Sequence, residues 1–297
     1  MLTRRELMQA AAAAAVMPLS GRAAERASFC LFSKHLPDLG WSDLGRAVKD
    51  AGFDGVDLTV RAKGHVLPER AAADLPRAIE AIRAHGVSVP MVTTELTSAK
   101  DSNARPLLQA AAKSGVRYFK TGYWYWSTSP DVRAQLAAVG DALAGLTELG
   151  KECGIELGFH NHNGYVGAAL WDIAPAIDKL DPKWAGYYFD PRHAVAEGGG
   201  GSWKAAAHLV APRLKMIALK DFYWNKTPKG WAIENCPMGE GAVDWASMAR
   251  VVGEARFAGP ISLHLEYDIP GSTAAERTSK TVAAAVKDLA YAKRFFK

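Results

Sequence analysis

Along this chain the spacing of apolar positions switches repeatedly between two residues and about 3.6, the periods of strand and helix. "ASFCLFS" reads as a strand and "WSDLGRAVKDAG" as an amphipathic helix with Ser42 as its N-cap. "FDGVDLTV" is a second strand, followed by the helix "DLPRAIEAIRAHG" with Gly86 closing it. "VSVPMVTTE" and "NARPLLQAAAKSG" repeat the pair, then "VRYFKTGY" and the long "SPDVRAQLAAVGDALAGLTELGKECG", which an internal glycine could break. "IELGFHNH" precedes the helical "ALWDIAPAIDKL", and "WAGYYFD" precedes "SWKAAAHLVAP". "LKMIALKD", a long loop and "DWASMARVVGEARF" form the seventh pair, and "GPISLHLEYD" with the helix Ala274 to Phe295 the eighth.

Eight strand–helix pairs in one chain of this size predict a closed (β/α)₈ barrel. An open doubly wound sheet would carry a glycine-rich turn after its first strand, and "FCLFSKHLPDLG" has none. The glycines at 198–201 come too late for a phosphate cradle and read as a flexible loop.

In such barrels chemistry gathers where the strands end. Those ends hold Glu95, Lys120, His160, His162, Asp190, Lys220, His264 and Glu266, with His193 just beyond Asp190. Side chains alternate along a strand, so His160 shares a face with His162, His264 with Glu266, and Ala218 with Lys220. Imidazoles, carboxylates and an ammonium should therefore converge at the mouth. Trp124 and Trp126, in "YWYW", are candidates to wall a sugar pocket, and Glu240 in "MGEG" is a candidate pocket residue. Lys34, His35 and Asp57 are further candidates in the first half.

Composition narrows the function classes. A net charge of +5 over 297 residues, without a basic face interleaved with aromatics, argues against nucleic-acid binding. No apolar run reaches the ~20 residues of a membrane span. Residues 1–25 differ from the rest: Thr3-Arg4-Arg5, an alanine-rich stretch and small residues near Gly21-Arg22-Ala23 read as a twin-arginine-type export signal. The mature domain, 26–297, is then expected in the periplasm or secreted. Three cysteines, Cys30, Cys153 and Cys236, read as buried free thiols.

"NHNGYVGAALWD", "DPRHAVAEGGGGSW", "KDFYW", "PMGEGAVD" and "GPISLHLEY" resemble an exported branch of the sugar phosphate isomerase/epimerase superfamily, the xylose isomerase-like TIM barrels. The resemblance runs from about Ser28 to the end. It implies a single divalent ion (manganese, zinc or iron) held by a Glu on strand five, an Asp on strand six, a His on strand seven and a Glu on strand eight. The two glutamates then move a proton between neighbouring sugar carbons. Matched residue by residue, the Asp is Asp190 and the last Glu is Glu266. The strand-five Glu is replaced by His160, and the strand-seven His by Ala218.

Two arrangements are open at this point. His160, Asp190 and Glu266 could bind a metal, with His160 replacing the lost proton carrier. Alternatively, Lys220 could put its ammonium where the cation was. The candidate catalytic groups are then His160, Glu266 and Lys220, with His162, His193, His264, Trp124, Trp126 and Glu240 as candidates toward a small carbohydrate. The reaction is an isomerisation or epimerisation through proton abstraction next to a carbonyl. The alternatives are a lyase acting on 3-keto-glycosides and a non-catalytic sugar-binding barrel. The sequence leaves the sugar and the oligomeric state open.

Overall fold

A computed structural model describes residues 27–128 and 131–296; the expected export signal lies outside them. Eight parallel strands close a barrel: β1 (Ser28–Phe32), β2 (Gly55–Val60), β3 (Ser88–Thr94), β4 (Tyr118–Lys120), β5 (Glu156–His160), β6 (Ala185–Phe189), β7 (Leu214–Leu219) and β10 (Pro260–Leu263). β1 closes the ring by pairing with both β2 and β10. Between them run α1 (Trp41–Asp50), α2 (Ala71–Arg83), α3 (Ala104–Lys113), α4 (Val132–Cys153), α5 (Ala174–Ile177), α6 (Pro191–Val210) and α7 (Trp245–Glu254), with α8 (Ala274–Ala292) last. The (β/α)₈ expectation is met.

Two apolar layers hold this arrangement. Outward-facing strand residues such as Leu31, Val56, Leu58, Val92, Phe119, Leu157 and Ile217 are buried against the helices. Each aliphatic side chain of this kind contributes about 1.5–3 kcal/mol by leaving water. Inside the ring, Met91, Tyr118, Tyr188, Met216 and Ala218 form a separate cluster, one strand contributing after another. Gly158 belongs to that layer, because a Cβ there would collide with Met216 Cε. Gly86, Gly115 and Gly154 end their helices at φ of +75°, +75° and +83°, the left-handed turn that glycine adopts without strain.

The structure departs from the sequence reading in five places. The long loop after strand seven is an antiparallel hairpin, β8 (Asp221–Thr227) and β9 (Gly230–Cys236), in full register. Its own alternation was masked by polar and aromatic residues sharing both faces. The glycines at 198–201 lie within α6, which kinks at Gly199 (φ 60°), rather than in a loop. α4 runs through its glycines unbroken. Only Ala174–Ile177 of the expected fifth helix is helical. Ser42 does not cap α1; Gly40 holds that position, and Ser42 Oγ bonds His85 Nε2 at 2.9 Å.

Candidate active site

The chemistry-bearing residues continue the inward-facing rows of the strands past their C-terminal ends. Phe32 follows Cys30, Arg61 follows Thr59, Lys120 follows Tyr118, His160 follows Gly158, Lys220 follows Ala218, and Glu266 follows His264. Together with Lys34, Thr93, Tyr123, His162 and Tyr188, these residues line a cavity of about 90 Å³ in the barrel mouth. That is space for about three waters, so a sugar seated there would extend into the loops above. Larger hollows lie elsewhere: one of about 240 Å³ at the opposite end of the barrel, and one of about 530 Å³ beside α8. Neither collects a comparable set of reactive groups.

Asp190 organises one side of the mouth. It caps α6, its Oδ1 accepting from His193 N at 3.1 Å, with Pro191 in the first helical position. Asn161 pins it to β5 through reciprocal side chain to backbone bonds of 2.8 and 3.0 Å. Its Oδ2 meets Lys220 Nζ at 3.1 Å and His160 Nε2 at 3.1 Å, with His193 Nε2 at 3.6 Å. Burial raises the Asp190 carboxyl, but Lys220, His193 and His160 outweigh it, so the group is held well below the ordinary carboxylate range.

These contacts fix the state of His160. A carboxylate can only accept, so Nε2–H donates to Asp190, and Nδ1 accepts from Tyr123 OH at 2.9 Å. Burial pushes the imidazole well below its usual pKa despite Asp190, so it stays neutral. Both of its ring nitrogens are engaged. Burial likewise raises the Tyr123 phenol, keeping its proton on.

The opposite side is built on a buried carboxylate below the cavity. Asp57 accepts from Thr93 Oγ1 at 2.7 Å, Ser262 Oγ at 2.8 Å and Tyr188 OH at 3.2 Å. Tyr188 OH, having donated, accepts from His264 Nε2 at 3.0 Å. His264 Nδ1 therefore carries the lone pair; it is buried, has no hydrogen-bond partner, and lies 3.9 Å from Glu266 Oε1. Glu266 pairs with Lys34 Nζ at 3.0 Å. Burial raises its carboxyl, and Lys220 is the largest of the charges that bring it well below the usual range.

The remaining expected residues fall outside the cavity. His193 sits behind His162, with ring centroids 3.9 Å apart. Trp124 stacks on Phe159 at 6.2 Å and Trp126 is largely exposed, so the aromatic wall comes from Tyr123 and Tyr188 instead. Glu240 lines the hollow beside α8. Arg61, Tyr188 and Thr93 were not singled out from the sequence, although extending each strand's parity to its end finds all three.

The arrangement does not suit the metal that the resemblance implies at His160, Asp190 and Glu266. The Asp190 oxygen that would face an ion is taken by an ammonium and an N–H, and Glu266 is turned to Lys34. Among the described residues no group of three His, Cys, Asp or Glu side chains is close enough to hold one.

The family profile of the xylose isomerase-like TIM barrels matches residues 46–289. The chain belongs to that family. A search of curated proteins finds no match. Similar solved structures include a 3-keto-D-glucoside 4-epimerase from E. coli in its apo form, at 17% identity and a TM-score of 0.68, covering 91% of this chain and all of that one. A D-psicose 3-epimerase from Clostridium cellulolyticum H10, solved with D-tagatose, matches at 11% and 0.66, covering 91% and 99%. A xylose isomerase-like TIM barrel protein from Mycobacterium smegmatis, in complex with magnesium, matches at 16% and 0.66, covering 90% and 99%.

Proposed function

We propose that this family member is a sugar isomerase or epimerase that removes a proton next to a carbonyl, with Glu266 as the base and Lys220 as the electrophile. The single observation that carries the reading is the placement of Glu266 and Lys220 on one small cavity, each paired with a partner of its own. Proton abstraction beside a carbonyl develops negative charge on oxygen. A fixed ammonium in a water-poor site stabilises that charge without reorganising at the moment of reaction. Asp190 holds Lys220 in place, and His160 and Asn161 hold Asp190.

Two proton carriers among the cavity-lining residues sit side by side: Glu266 and His264, whose Nδ1 is unengaged. A proton taken by Glu266 can return to the neighbouring carbon from the same side, or pass to a substrate hydroxyl bonded to His264. Tyr123, whose phenol keeps its proton, caps His160 through its hydroxyl and lines the cavity. No step runs through a metal. The signal-like residues 1–25 support an exported enzyme.

A second reading, elimination from a keto-glycoside, uses the same abstraction and then expels a leaving group. It is favoured by the hairpin. Asn235 on β9 bonds Arg192 and the backbone carbonyl of Glu266, which places the Phe222–Trp224–Trp231 face beside the mouth. Trp224 and Trp231 are exposed there, suited to stack on an aglycone.

The test is exchange in deuterated water. The protein is incubated with ketohexoses, aldohexoses and 3-keto-glycosides, and carbon-bound deuterium and products are read by NMR. Deuterium beside the carbonyl that vanishes in Glu266→Gln supports the reading, and a released aglycone selects the lyase form. Tight binding with no exchange in any sugar overturns both in favour of a non-catalytic binder.

A further inference from the structure

The charges of the barrel mouth can be accounted for one by one. Lys34 pairs with Glu266 and Lys220 with Asp190. Asp57 is satisfied by three hydroxyls. Two cationic side chains are left over, Arg61 and Lys120, both lining the cavity. Among the described residues neither has a carboxylate within 4 Å. The Glu95 carboxylate is turned instead to the backbone N–H of Ala62, at 3.3 Å.

Each of the two is held where it is. Arg61 sits at the mouth of a tight turn, its N–H bonded to Val66 O at 3.1 Å and its carbonyl to Gly64 N at 2.9 Å. Its guanidinium carbon lies 5.8 Å from the Phe32 ring centroid, and its Nε is buried with no hydrogen-bond partner. Lys120 is 2% exposed, and its Nζ lies 3.4 Å from the Tyr123 ring centroid, over the face of the ring. A ring face offsets only a small part of the cost of burying an ammonium. Buried cations are ordinarily paired, and this pair adjoins a cavity that opens to a ligand.

We infer that the substrate carries an anionic group, a carboxylate as in a uronate or a keto-aldonate, and that Arg61 and Lys120 bind it. The inference deepens the proposed function and rests on it for the sugar. The guanidinium fork matches a carboxylate edge through two N–H donors, and Lys120 supplies a third from the end of β4, across β3 from the strand that Arg61 follows. A carboxylate suits a cavity of about 90 Å³ better than the bulkier phosphate. Burial and the neighbouring Arg61 lower the Lys120 amine well below its ordinary pKa, and an anion beside it favours the charged form.

The test is calorimetry on the full chain with D-glucuronate, D-galacturonate, their neutral hexoses, glucose 6-phosphate, and acetate and sulfate as plain anions. The expected result is uronate binding at least about tenfold tighter than the matching hexose. Arg61→Gln should abolish the preference. Lys120→Met should weaken it while leaving the protein folded, because an apolar chain replaces a buried amine with no carboxylate partner. Equal affinity for uronate and hexose, or a preference that survives both substitutions, overturns the inference. A preference for glucose 6-phosphate overturns the carboxylate assignment in favour of phosphate. Arg61-dependent binding of acetate or sulfate with no sugar bound keeps the anion site and sinks the sugar reading. No binding by any probe sinks both.

Discussion

The Nζ of Lys220 lies 3.1 Å from Oδ2 of Asp190, with Asp190 fully buried and Lys220 5% exposed. Breaking a buried pair by removing one partner costs about 3–5 kcal/mol, because the other charge is left uncompensated. Lys220→Met should therefore lower the unfolding free energy by about that much. Lys220→Met combined with Asp190→Asn should recover a large part of it. Urea denaturation of the two single variants and the double variant checks this. Additive losses would show that the two side chains do not act as a pair. Activity on the sugar identified by exchange should fall by about 10²–10³ in Lys220→Met, the scale for losing a preorganised charge at a developing oxyanion.

Glu266 gives the converse pattern. Its pair with Lys34 is partly exposed, 23% and 43% for the two side chains, so its net worth to stability is about 0–1 kcal/mol. Glu266→Gln should fold like the parent, yet lose about 10²–10⁴ in the rate of carbon-bound deuterium exchange, the range for a positioned acid–base group. Lys34→Ala should cost far less. An exchange rate unchanged in Glu266→Gln would move the base elsewhere, with His264 Nδ1 next in line.

The barrel and most of this mouth were legible in the sequence because both follow from alternation. His160, His162, Lys220, His264 and Glu266 are at strand ends with inward parity, and all five line the cavity. Arg61 lies on the same inward row as Asp57 and Thr59 but falls in a turn, where pattern reading stops early. Trp124 was misleading for the same reason. Beyond β4 the chain leaves strand geometry, so parity no longer says which of Tyr123 and Trp124 faces in. The fate of the implied metal was not legible either. Whether Lys220 shares the cavity with a metal or stands in its place depends on a distance to Asp190, and no spacing in the chain encodes that distance.

The mouth also sets how the fold responds to acid. His35, His160, His162, His193 and His264 all have their pKa lowered, with burial the largest cause in each; for His35 the value is about 3 and for His162 about 4. The unfolded chain binds these protons near pH 6.5, while the native state refuses them. Stability is therefore complete above about pH 6.5 and falls as pH drops toward each folded value, by about 1.4 kcal/mol per pH unit for each histidine fully engaged. Asp190 and Glu266, held low, add their own loss only below about pH 4. Urea midpoints at pH 7, 6 and 5 should decline steeply, and His162→Gln should remove about one proton's worth of slope. A flat profile over that range would contradict the buried neutral imidazoles.

Asp288 on α8 should act in the opposite direction. It is 3% exposed, and its oxygens accept from Met238 N at 3.3 Å and Tyr267 OH at 3.0 Å. Burial lifts its carboxyl to about 6, against the pull of those two hydrogen bonds. Between about pH 4 and 6 the native state keeps a proton that the unfolded chain has released, so stability declines as pH rises through that window. The cost is complete above about pH 6 and comes to about 3 kcal/mol for a shift of about two units. Asp288→Asn keeps an oxygen for Met238 N–H and turns a donor toward Tyr267, while removing the charge. The variant should be close to the parent near pH 4 and more stable than it by up to about 3 kcal/mol at pH 7. Paired denaturation curves across that range read the difference directly. A gap that does not change with pH would mean that Asp288 is ionised throughout, and that the loop it anchors at Met238 is held by a carboxylate.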